Sequence, residues 1–105
     1  MDMKQIERIE KMEQYLDESE KAIHTLSEAL EQYEAIQSSL KKLSDYYGST
    51  LWMKDYEDDE AGKIPEDLKR GVLSEDAVYD LLTEHHELML RMSRAITKSI
   101  DSKLL

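Results

Sequence analysis

The chain has 105 residues, with 24 acidic against 14 basic side chains and a formal net charge of −10. This charge argues against nucleic acid and anionic membranes as partners, because both are bound through Lys and Arg that neutralise phosphate. There is no cysteine, which excludes disulfides and thiolate chemistry. The length suits one hydrophobic core, so residues 1–105 are predicted to form a single helical domain.

The first predicted element is a long helix over residues 3–47, a stretch that contains no Gly or Pro. Residues on one face recur at alternating steps of three and four, the heptad period of helices that pack lengthwise. This heptad seam consists of Ile9, Met12, Leu16, Ser19, Ile23, Leu26, Leu30, Tyr33, Gln37 and Leu40. A second row beside it, the apolar flank, consists of Tyr15, Ala22, Ala29, Ile36 and Leu43. A kink or break near residues 17–20 is the alternative to a continuous helix, because Ser19 interrupts the seam there.

A connector over residues 49–71 is predicted next. Gly48 is expected to end the first helix, and Ser49 is expected to cap a short helix that ends near Gly62. Pro65 is expected to open one further helical turn, which Gly71 closes.

The last predicted element is a second long helix over residues 75–104. Ser74 is its expected N-cap, because two acidic residues follow in what would be the first turn. Its predicted buried stripe consists of Val78, Leu81, Leu82, His85, Leu88, Met89, Met92, Ile96 and Ile100. The predicted fold is therefore all-α, as a long helical hairpin or a small helical bundle.

The middle of the chain resembles a known family. The segments that carry the resemblance are residues 46–49 (YYGS), Trp52, residues 59–65 (DEAGKIP) and above all residues 68–79 (LKRGVLSEDAVY). They resemble the signature of a small bacterial family catalogued as a domain of unknown function, number 4298. The resemblance implies a cytosolic protein of Gram-positive bacteria, and similar chains are sometimes found in bacteriocin gene clusters. It carries no known catalytic or binding residues.

The sequence contains no complete motif for metal binding or catalysis. Asp55, Glu57, Asp59 and Glu66 fall at positions 1, 3, 5 and 12 of a calcium loop. The pattern then fails, because Glu60 stands where the loop needs Gly and Pro65 stands where the exit helix should start. His85 and His86 are adjacent and point about 100° apart on a helix, so they cannot share one metal ion. We therefore predict no catalytic, cofactor-binding or metal-binding residues, and no enzyme.

The leading hypothesis is a structural or regulatory protein–protein interaction module in the cytoplasm. A homodimer is expected, because the second helix is too short to cover the first and leaves Ile6, Ile9, Met12 and Leu16 without an intramolecular partner. We interpret the connector as a structured cap on the helical hairpin. The alternative is that it carries a binding epitope, formed by Tyr47, Trp52, Lys69 and Arg70. The rival function is an immunity-type or antagonist protein that binds a basic peptide or protein.

The predicted location rests on two features of the sequence. The first eight residues carry charges every two or three positions, unlike the apolar stretch of a signal peptide. The longest apolar runs are far shorter than the about 20 residues that a membrane-spanning helix needs.

Overall fold

The computed structural model describes residues 2–104. These residues form helices α1 (Met3–Tyr46), α2 (Thr50–Glu60) and α3 (Ala77–Asp101), with a 3₁₀ turn at Gly71–Leu73 and no strand. The predicted all-α class is confirmed. Within this range, no helix combines the length and the apolar character that crossing a membrane requires.

The chain divides into two compact units, the first ending at Ser39 and the second beginning at Leu40. The first unit is α1 up to that boundary, and the helix runs through residues 17–20 without a break. Its start is capped, because Asp2 Oδ1 accepts the Gln5 backbone N–H at 2.6 Å. Side chains four apart then support the helix, with Gln14 Nε2 donating to Glu18 Oε1 at 2.9 Å. The alternative of a broken helix is therefore wrong.

The second unit confirms three predicted boundary residues. Gly48 follows the end of α1 with a φ of +79°, a left-handed conformation that glycine adopts without steric cost. Ser49 caps α2, since its Oγ accepts the Trp52 backbone N–H at 3.1 Å. Gly62 has a φ of +72° after α2, and the next residue, Lys63, donates its N–H back to the Asp58 carbonyl at 2.9 Å.

The predicted turn and the predicted second helix need correction at their boundaries. Pro65 opens a single turn closed by the Leu68 N–H at 3.1 Å, and Gly71 begins the 3₁₀ turn instead of closing a helix. Helix α3 begins at Ala77 and ends at Asp101, inside the predicted 75–104. Ser74 still contributes, because its Oγ accepts the Ala77 N–H at 3.1 Å while the intervening residues stay outside the helix.

Burial in the second unit concentrates where α2, the 3₁₀ turn and the start of α3 meet. Trp52, Leu73 and Val78 are its buried hydrophobic residues. The predicted burial of the whole α3 stripe is wrong, because exposure reaches 55% at Ile96 and 71% at Ile100. The stripe is half-buried at Leu82, His85, Met89 and Met92 and exposed beyond them. At 1.5 Å per residue α2 spans about 16 Å and α3 about 37 Å, so α2 is too short to cover the end of α3. The pairing of the two long helices and the single domain stay predictions.

Candidate functional site

Trp52 is the residue around which the connector folds. Its side chain is 8% exposed, and its indole Nε1 donates a hydrogen bond of 2.8 Å to the Val72 carbonyl. This bond joins α2 to the 3₁₀ turn across 20 positions of sequence. A buried indole needs such an acceptor, because an unpaired donor away from water costs about 1–3 kcal/mol. The bond therefore satisfies the indole and fixes the path of the connector.

Two tyrosine rings complete the Trp52 cluster. Tyr47 meets the indole edge to face, with ring centroids 5.3 Å apart and planes at 72°. Tyr56, one helical turn after Trp52, stacks on it with centroids 5.2 Å apart and planes at 17°. Both are favourable aromatic geometries, worth about 0.5–1.5 kcal/mol each beyond area burial. The Tyr47 hydroxyl also donates to the Glu75 carbonyl at 3.1 Å, which ties the cluster to the segment before α3.

An ion pair between Arg70 and Asp59 joins the end of the connector to α2. Arg70 Nη1 lies 2.6 Å from Asp59 Oδ1, and the two side chains are 33% and 20% exposed. Arg70 Nη2 also donates to the Glu66 carbonyl at 3.3 Å. Partial burial makes this pair better defined than a fully solvated one, because solvent screens it less. The Arg70 guanidinium is thus held by Asp59 of α2 and by the Glu66 carbonyl in the turn after α2.

Two tyrosine hydroxyls donate to carboxylates in the same unit. Tyr46 Oη donates to Asp55 Oδ2 at 2.6 Å, and Tyr56 Oη donates to Glu75 Oε1 at 2.7 Å. The hydrogen bond to Asp55, with burial and the negative charge of Asp55 adding to it, raises the pKa of Tyr46 to about 12. The hydrogen bond to Glu75 is likewise the largest cause that raises the pKa of Tyr56 to about 12. Both phenols therefore hold their protons more tightly than a free tyrosine.

These contacts bear on the predicted epitope of Tyr47, Trp52, Lys69 and Arg70. The structure brings Tyr47 and Trp52 together and gives Arg70 an intramolecular partner, while Lys69 is exposed. Three of the four side chains thus have structural roles inside the connector. Their role as a partner-binding epitope stays a prediction.

The predicted interface lies on the first turns of α1. Ile9 is 46% exposed, Met12 53% and Leu16 50%, and Ile6 is half-buried. The exposed face extends further than predicted, because the seam residues Ile23, Leu26 and Leu30 are 66%, 61% and 46% exposed. Scattered apolar residues are normal on a protein surface, whereas a contiguous row at heptad spacing is typical of an association site.

Three of the four carboxylates of the rejected calcium pattern lie on a helix, and Glu66 lies in the turn after Pro65. Asp55, Glu57 and Asp59 are all within α2, so they do not form a loop around a cation. Asp55 accepts from Tyr46, and Asp59 pairs with Arg70. Among residues 2–104, no three His, Asp or Glu side chains come close enough together to hold a metal ion.

An apolar cavity of about 320 Å³ opens beside the cluster, lined by Leu43, Val72, Val78 and Leu81, with Lys69 supplying its charge. It is near the small end of the range for ligand pockets, about 300–1,000 Å³. Its lining offers no pair of groups that could act as acid and base.

Comparison with known proteins identifies the family. The sequence pattern of a family described as a domain of unknown function, DUF4298, matches residues 9–95. The chain belongs to the DUF4298 family. This match covers more than four fifths of the chain and includes most of α1 as well as the connector. Neither a curated protein nor a solved structure matches the chain.

The DUF4298 match includes every residue of the Trp52 cluster and the Arg70–Asp59 pair. The sequence singled out Trp52, Arg70 and Asp59, but it did not pair Arg70 with Asp59 or Trp52 with Val72. The Val72 contact uses a backbone carbonyl, which no side-chain pattern can indicate. The Arg70–Asp59 pair joins residues 11 apart across an irregular turn, where no helical or strand spacing applies.

Proposed function

We propose that this DUF4298 chain is a non-catalytic protein–protein interaction module of the cytoplasm, which binds its partner through the heptad seam of α1. The observation that supports this function is the exposure of six large apolar seam residues between Ile9 and Leu30. They lie on one unbroken helix at the spacing that a second helix can fill with its own side chains. The partner that fits without any further component is a second copy of the chain.

The energy available from this seam is large enough for association. Fully burying a Leu, Ile or Met side chain yields about 1.5–3 kcal/mol. Six side chains, each about half exposed, would together contribute roughly 4–9 kcal/mol from each copy. Association itself costs about 4–15 kcal/mol in lost freedom of motion. Burial on both copies, roughly 8–18 kcal/mol, therefore covers this cost more fully than burial on one copy alone.

The experiment is a mass measurement by multi-angle light scattering at high micromolar concentration. We expect a dimer for the natural chain and a monomer when Ile9 and Met12 are both replaced by Glu. The matched control is the pair Thr25→Glu and Gln32→Glu, which adds the same charge on the outer side of the same helix. A monomeric mass for the natural chain that the seam replacements leave unchanged contradicts the proposed self-association.

A second candidate function is supported by the net charge of −10. We propose as the rival an immunity-type or antagonist protein that binds a cationic peptide or a basic site on another protein. Such a partner would be steered to the chain by charge, and its affinity would fall steeply with added salt. Seam-mediated binding would hold or strengthen in salt, because apolar burial is not screened. Titration with a lysine-rich peptide at low and high salt therefore distinguishes the two functions.

A further inference from the structure

We propose that the apolar cavity of about 320 Å³ in the second unit binds an apolar carboxylate, such as a medium-chain fatty acid, with the carboxylate on Lys69. Every lining residue lies between Leu43 and Leu81, so the site is contained in the second unit. It is separate from the exposed seam residues Ile9 to Leu30. The cavity is therefore an additional binding site, which self-association through the seam neither requires nor excludes.

The cavity combines a buried base with open apolar walls. Val78 is 3% exposed, whereas Val72 and Leu81 are 42% and 44% exposed. Leu43 is half-buried at the same cavity. Single exposed apolar side chains are normal on a protein surface, but apolar side chains gathered around a concave space are typical of a ligand site. An apolar ligand gains free energy here, because it removes these walls from water.

Gly71, in the cavity wall, is a glycine that the backbone does not require. Its φ lies outside the left-handed region, in contrast to Gly48 and Gly62, so a residue with a side chain can adopt it. A Cβ added at Gly71 would meet no atom within 4 Å, so no close approach requires glycine either. Glycine at such a position costs stability relative to alanine, because it gives the unfolded chain more conformational freedom. What the absent side chain provides is space at the cavity wall, which a bound ligand would use.

Lys69 supplies a positive charge that the described chain leaves unused. The adjacent Arg70 is paired with Asp59, whereas no carboxylate among residues 2–104 forms an ion pair with the exposed Lys69 ammonium. A lysine ammonium offers three donors and no acceptor, so its complement is an anion such as a carboxylate. The net charge of −10 repels anions at long range, but physiological salt screens charges beyond about 8 Å, so the nearby ammonium determines the local preference. The ligand that fits is an apolar molecule with one carboxylate.

The volume of the cavity sets the length of the ligand. At about 30 Å³ for each water-sized group, 320 Å³ holds about ten heavy atoms. Octanoate, with eight carbons and two oxygens, matches that size. Each methylene that becomes buried strengthens binding by about fourfold, so we expect hexanoate to bind about 15-fold more weakly than octanoate. Decanoate should gain little over octanoate, because its last methylenes extend beyond the cavity into water.

Titration of octanoate into the natural chain, below its micelle concentration, tests the site. The readout is the shift of methyl resonances in NMR, because Leu43, Val72, Val78 and Leu81 place methyl groups around the cavity. Trp52 fluorescence is a second readout, since its indole donates to the Val72 carbonyl. We expect saturable shifts at the four lining residues, with octanoate binding about two- to fivefold more tightly than octanol. Octylamine, which has the same length and a positive charge, should bind more weakly than octanol.

Lys69→Met isolates the charge, because it keeps a long apolar side chain and removes the ammonium. We expect octanoate to bind this variant about two- to fivefold more weakly, at the affinity of octanol, while octanol binding is unchanged. Lys63→Met is the matched control, since Lys63 is an exposed lysine of the same unit that does not line the cavity. Gly71→Leu and Ala77→Leu each add volume at the cavity wall. Each should weaken both ligands by at least about tenfold, because the new side chain displaces two or more methylenes of the ligand.

The contrary results are distinct from one another. Octanol binding as tightly as octanoate means that the cavity takes a neutral apolar group, such as a side chain of a partner protein, and overturns the carboxylate ligand. Equal weakening in Lys63→Met and Lys69→Met shows that charge acts at long range and not at the cavity, with the same consequence. Methyl shifts outside the cavity, no saturable binding at millimolar octanoate, or unchanged binding in a folded leucine variant overturns the site itself. Circular dichroism checks the folding of each variant, and two separate leucine positions keep the test decisive if one of them does not fold.

Discussion

Replacing Trp52 by Ala should strongly destabilise the second unit. The indole is 8% exposed, packs against two tyrosine rings and donates to the Val72 carbonyl at 2.8 Å. Truncating a buried Trp to Ala typically costs about 3–5 kcal/mol. A folded unit of this size has about 3–10 kcal/mol of total stability at 0.05–0.15 kcal/mol per residue. We therefore expect Trp52→Ala to remove at least a large part of that stability.

A conservative variant separates the hydrogen bond from the packing. Trp52→Phe keeps an aromatic ring but leaves the Val72 carbonyl without its donor, at a cost of about 1–3 kcal/mol. For a domain of this size, each kcal/mol lowers the melting temperature by about 4–8 °C. We expect Trp52→Phe to melt between the natural chain and Trp52→Ala.

The assay combines thermal unfolding by circular dichroism with hydrogen exchange measured on peptides from α2 and the 3₁₀ turn. Because α1 contributes most of the helical signal in circular dichroism, hydrogen exchange is the measurement that shows whether structure is lost in the second unit. The matched control is Leu51→Ala, one position earlier on α2, where the side chain is 67% exposed and truncation should change stability by less than about 0.5 kcal/mol. The reasoning is refuted if Trp52→Ala is as stable as Leu51→Ala. Loss of partner binding without loss of stability would instead support the epitope interpretation.

Two predictions concern the carboxylates of α2. The pKa of Tyr46 is raised from 10 to about 12, so the folded state holds this proton more tightly than the unfolded chain does. The stability that the Tyr46 hydroxyl contributes is therefore complete below pH 10 and is lost as the pH rises to about 12. The stability difference between the natural chain and Tyr46→Phe, measured by urea unfolding, should shrink over that pH range, and a constant difference contradicts the Asp55 hydrogen bond as its cause. Micromolar calcium should leave the melting temperature unchanged, because α2 holds these carboxylates on a helix. A saturable stabilisation by calcium that disappears in Asp55→Ala would contradict this prediction.

Local chemistry accounts for the parts that were predictable from the sequence. Residues 3–47 were predicted as a helix because nothing in them breaks one, and α1 occupies Met3–Tyr46. Gly48 and Ser49 were identified because a left-handed glycine and a serine N-cap act on backbone groups within three residues. The heptad seam was likewise readable, because helical periodicity maps spacing directly onto one face.

Only the tertiary structure decided how the connector closes. Trp52 meets a carbonyl 20 residues away, Arg70 an aspartate 11 residues away, and Tyr46 an aspartate on the next helix. No helical or strand period links these positions, since they are brought together by the turns after α1 and α2. The burial of α3 was mispredicted for a related reason. Amphipathic spacing indicates which face of a helix can be buried, whereas the amount buried depends on the length of the elements packed against it.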